Sequence, residues 1–136
     1  MSTSDLSIPQ AVAFAIMYAL DAESGDAWKT WAHGWLKGDD RGGVSAGRAE
    51  GAATTPAARH AAAAARLLDE ASRLETEAAM LTSEGRNTRW HLDEGEARNN
   101  GCLAEVAEAI RLSGTAALDV ESPRSIELRT RAVREF

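Results

Sequence analysis

The sequence has a single cysteine, Cys102, among its 136 residues. One thiol excludes an internal disulfide and any metal site built from several cysteines. No run of eighteen apolar residues occurs, so no segment reads as a membrane span. The apolar stretch 11–20 lacks a basic flank and follows Asp5, so no secretory leader is expected, and a cytoplasmic location is the expectation. Phe, Tyr, Val and Ile, which favour strands, are scarce, and alanine dominates the apolar residues. Large apolar side chains are therefore few, and four of them are Trp.

What remains points to an all-α protein, read as one domain over 1–136. The 44% hydrophobic content overstates the material for a core, because so much of it is alanine. The formal charge is −6, unfavourable for general nucleic-acid binding. Residues 1–25 carry Asp5, Asp21 and Glu23 and no base. Residues 122–136 carry Arg124, Arg129, Arg131 and Arg134 against Glu127 and Glu135. Ends of opposite sign are set to attract, within one chain or across a dimer.

The organising stretch is 55–85. Thr55-Pro56 supplies an N-cap and a proline at the first helical position, and Gly85 follows the last turn. Between them Ala57, His60, Ala64, Leu67, Ala71, Leu74, Ala78 and Leu81 recur at alternating steps of three and four. That is a coiled-coil seam on a helix about 45 Å long. Something must cover it. The candidates are other segments of the chain or a second copy, a homodimer through the 57–81 seam. The short connection at 86–88 predicts an antiparallel return over 88–112, for a bundle of about five helices around the central one.

The remaining segments follow from caps and periodicity. Ser7 and Pro9 start a first helix, apolar nearly all round. Ser24 or Asp26 caps a second helix that Gly38 ends. Residues 44–53 make a short, weak helix with Gly47 and Gly51 one turn apart. Trp90, Leu92, Leu103, Val106, Ala107 and Ile110 supply the apolar face of the return helix. Gly95, Asn99-Asn100 and Gly101 predict a break in it. Ser113-Gly114 ends it, and 115–121 read as a linker or a short apolar segment. Ser122-Pro123 opens a last element, read as helix, with an edge strand as the alternative. Glu127 and Arg131 are expected to pair along that helix, and Phe136 to dock against the body.

Candidate sites are few. Trp28, Trp31 and Trp35 share one helix face. They serve as core, as a partner-binding hot spot, or as a base-stacking platform flanked by Lys29, His33 and Lys37. Glu70, Glu77 and Glu84, with Glu75, line the long helix and would present carboxylates where a partner expects phosphates. Arg124 and Arg131 are the candidates near the C-terminus. Asp39-Asp40 reads as a solvated turn and His60 as a packed seam histidine. His91 with Asp93, Glu94 and Glu96 is the nearest approach to a metal or acid–base cluster. Carboxylate-bridged di-iron bundles use Glu-x-x-His twice; here the order is reversed and occurs once. No cofactor or metal is expected.

The stretch Trp31-Ala-His-Gly-Trp35-Leu-Lys-Gly-Asp-Asp-Arg41, followed by alanine-rich helix, resembles the small alanine-rich helical proteins of phages and mobile elements. The resemblance covers 28–66. It implies an inhibitor- or immunity-type protein that binds another protein, an anti-CRISPR inhibitor being one such case.

Three functions are therefore in view. The first is a non-enzymatic protein–protein interaction module that occludes a partner. The second is a small nucleic-acid-binding regulator using the C-terminal arginines. The third is a metal-binding helical-bundle enzyme centred on His91.

Overall fold

The computed structural model describes residues 6–112 and 123–136. These form six helices: α1 (Ile8–Ala22), α2 (Asp26–Lys37), α3 (Gly43–Ala52), α4 (Pro56–Ser83), α5 (Arg89–Leu112) and α6 (Pro123–Glu135). The architecture is all-helical. The expected helix end at 113–114, the linker 115–121 and the cap Ser122 lie outside the described residues.

Local signals set most helix starts. Ser7 and Gln10 form a reciprocal capping box at α1. The Thr55 hydroxyl accepts from the Ala58 amide at 3.2 Å, with Pro56 at the first position of α4. The cap of α2 differs from expectation. It is Gly25, which offers no side chain, and Asp26 is the first helical residue. Gly38 and Gly85 end α2 and the α4 turn with φ of +84° and +79°, a conformation that favours glycine.

α1 is buried along residues 11–19 and packs on both α4 and α5. Opposite it, Ala57, Ala58 and Ala61–Ala65 are buried. Small side chains on every side of this part of α4 let several helices approach it closely. α2 inserts Trp28 and Trp35, at 0% and 1% exposure. The Trp28 indole N–H donates to the Ala58 carbonyl at 2.9 Å. Both indoles are core, so the open choice for this face resolves inward at these two residues. Trp31 lies half-buried at the rim, 5.6 Å from Trp28 in an edge-to-face pair.

α6 is a helix, not an edge strand, and buries Leu128, Arg129 and Ala132. Phe136 docks as expected. Its ring lies 6.2 Å from that of Trp35, and the Arg41 guanidinium sits 4.6 Å from the Trp35 ring and 5.4 Å from Phe136. The expected Glu127–Arg131 pair is absent. Glu127 instead meets Arg124 at 3.1 Å, one turn earlier, and Arg131 meets Glu135 at 3.8 Å.

Candidate protein-interaction arm

α4 and α5 form the antiparallel hairpin the short connection predicts. Their register is fixed by six cross-links. His60 Nδ1 bonds to Glu105, and the Cys102 thiol donates to the Ala64 carbonyl at 3.2 Å. Farther along, Arg98 meets Glu70 at 3.4 Å, Asn99 donates to Glu75 at 3.3 Å, and His91 meets Glu77 at 3.4 Å. Thr82 donates to Thr88 at 3.3 Å beside the turn.

α5 is unbroken through Gly95 and Gly101. The predicted kink does not form, because both glycines lie against α4. A Cβ would sit 3.9 Å from Leu74 and Glu75 at Gly95, and 3.5 Å from Leu67 at Gly101. The face α5 turns to α4 is His91, Gly95, Arg98, Cys102, Glu105 and Ala109. These steps of four and three complement the α4 seam. The seam is thus covered by α5 of the same chain.

The same register leaves most of the expected apolar face of α5 uncovered. Trp90, Leu92 and Leu103 fall beside the α5 seam and are 64%, 54% and 42% exposed. Only the C-terminal end of the expected apolar face is buried, at Val106 and Ile110. The sequence cue existed, since the 4–3 spacing can be read from His91 onward. It was masked because that seam is made of small and polar residues.

The hairpin has two unlike halves. Near the chain's core, α1 and α3 pack on it. Between residues 70 and 98 only Ala71, Ala78 and Gly95 are buried. Inter-element polar contacts of this part run only between α4 and α5 among the described residues. The result is a two-helix arm, about 21 Å long from Glu70 to Ser83. Its end carries Met80 (59% exposed), Trp90 and Leu92. A cleft of about 360 Å³ there is lined by Glu77, Met80, Leu81, Glu84, Arg86 and His91. The Trp90 and His91 rings meet edge to face at 4.9 Å.

Glu77 and Glu84 belong to the arm, paired with His91 and with Arg86 (3.3 Å), and Glu70 sits at its base between Arg66 and Arg98. Arg124 is on α6, away from them. It holds Asp21 through two bonds of 2.9 and 2.6 Å, which raises its pKa, with Glu127 adding to the shift. The oppositely charged ends of the chain therefore meet within one molecule. The Asp40 carboxylate accepts from the Ser45 hydroxyl and the Gly42 amide, which lower its pKa. No group of three or more metal-binding side chains converges among the described residues. No helix among them is long and apolar enough to cross a membrane. A larger cleft, about 420 Å³, opens between α2 and α3 over Ala27, Trp31, Gly34, Arg48 and Ala49.

One further residue was invisible to motif reading. Glu23, just past α1, is 3% exposed. It accepts hydrogen bonds from the amides of Gly25, Thr54 and Thr55 and from both threonine hydroxyls. Burial pushes its pKa up, but these donors outweigh it and hold the carboxyl at about 2. It joins the end of α1 to the start of α4.

Comparison with protein-family models, curated proteins and solved structures finds no match.

Proposed function

We propose that this chain is a non-enzymatic interaction module that docks its α4–α5 arm on a partner protein and occludes that partner's surface. The observation that carries the reading is Trp90, 64% exposed at the end of an arm in which only Ala71, Ala78 and Gly95 are buried. An exposed Trp flanked by exposed Met and Leu side chains is costly to leave in water and characteristic of binding hot spots. Glu77 and Glu84 rim the same end. An inhibitor of a host protein complex, of the anti-CRISPR kind the 28–66 resemblance implies, is the specific form of this proposal. Nucleic acid fits less well, because Arg124 and Arg131 are already paired with Asp21, Glu127 and Glu135.

The test is capture of partners from nuclease-treated lysate by the wild type and by the triple variant Met80→Ala, Trp90→Ala, Leu92→Ala. All three side chains are more than half exposed, so the variant should melt like the wild type and lose the partner. Capture that is unchanged would remove the arm from the reading.

A further inference from the structure

We infer that one side of the arm is an open groove that seats a basic amphipathic helix of the partner protein, continuing along α5 the stripe that is buried at Ile110. This rests on the arm reading above and names what the arm would hold.

α1 packs against both α4 and α5. On α5, Ile110 is buried, while Leu103 and Leu92 are 42% and 54% exposed. Steps of seven and eleven residues, about two and three turns, place all three on one helix face. Leu92 and Leu103 therefore lie in line with Ile110, with Glu96 and Asn99 between them on the same face. From Leu92 to Leu103 is about 16 Å, room for roughly three turns of helix. The α4 edge beside it carries Ser72, Glu75 and Ala79 at steps of three and four. The Asn99–Glu75 bond places that edge next to the stripe. Ser72 and Ala79, on either side of Glu75, are small enough to permit close helix approach.

Charge selects the occupant. On this side stand Glu75 and Glu96, with Asp93 next to them. Glu75 receives only the neutral Asn99 amide, and Asp93 and Glu96 make no ion pair among the described residues. The bases Arg73, Arg86, His91 and Arg98 are engaged with Asp69, Glu84, Glu77 and Glu70. Arg89, at the tip, makes no such pair among the described residues. A helix with Leu on one side and Lys or Arg along its edges satisfies both the stripe and the carboxylates. Phosphate backbones and anionic lipid surfaces are repelled by the same charges.

The test uses fluorescence anisotropy at low salt with three labelled 18-residue amphipathic peptides: Leu/Lys, Leu/Gln and Leu/Glu. A short DNA duplex is the fourth probe. The Leu/Lys peptide should bind saturably, one per chain. Leu103→Glu should weaken it at least tenfold, as should the pair Glu75→Lys, Glu96→Lys, while thermal melts stay unchanged. Equal binding of the Leu/Gln and Leu/Glu peptides, or preference for the duplex, would overturn the basic partner. Binding indifferent to Leu103→Glu would overturn the groove. If no peptide binds although lysate capture still depends on the arm residues, this inference falls and the arm reading stands. If capture is independent of them too, both fall.

Discussion

Glu23 accepts the backbone amides of both Thr54 and Thr55, at 2.9 and 3.0 Å, across 31 and 32 residues of sequence. A carboxylate from the end of one helix thus supplies acceptors at the start of another, where free amides and the helix dipole favour an anion.

That relationship makes stability depend on pH. The folded pKa is about 2 against an ordinary 4.5. Because the folded value is depressed, the contribution is fully present above pH 4.5 and is lost as pH falls toward 2. It is worth about 3 kcal/mol. Urea denaturation of wild type and Glu23→Gln should differ by that order at pH 7 and converge near pH 2. A constant difference across the range would show that Glu23 is not the titrating group.

The indoles of α2 should report on folding. Trp35→Ala removes a fully buried side chain and should cost about 3–5 kcal/mol. Trp28→Phe, which keeps most of the volume but gives up the indole bond to the Ala58 carbonyl, should cost about 1 kcal/mol. Chemical denaturation with constant m-values checks both. Partner capture by the folded fraction of Trp28→Phe should match the wild type.

Glycines divide by environment. Gly34 and Gly51 lie inside helices with nothing within 4 Å of an added Cβ. Alanine at either should stabilise by about 0.5–1 kcal/mol. Gly38 and Gly85 have positive φ, and alanine there should destabilise by about 1 kcal/mol. Thermal melts of the four variants should show opposite signs.

Cys102 should be inert. It is fully buried, and burial pushes its thiol up to about 12, with Glu105 adding to the shift. A thiol-specific reagent at pH 8 should label it only at the rate of unfolding.

The arm should open before the core. Hydrogen exchange at Ala78–Ser83 and Arg89–Asp93 should run roughly tenfold or more faster than at Ala61–Ala65, because in the arm only Ala71, Ala78 and Gly95 are buried and there are few apolar contacts to lose. Uniform protection would mean the arm is held by the core.

Much of the helix plan was legible from residues near each boundary. Ser7, Thr55, Pro56, Gly38 and Gly85 act through caps and turns that need only their neighbours, so position in sequence is enough. The seam on α4 was legible for the same reason, being a repeat within one helix. The face α5 presents was not. Its seam residues are His, Gly, Arg, Cys, Glu and Ala, and their role exists only once α4, with Leu67 and Leu74, lies opposite. Trp90, Leu92 and Leu103 looked like core because apolar type correlates with burial, yet all three stay exposed beside the α5 seam. Glu23 looked like a loop acid until packing brought Thr54 and Thr55 to it. Backbone conformation is decided locally, by sterics and capping. Which side chain is covered depends on what arrives from elsewhere in the chain, and tertiary structure alone decides that.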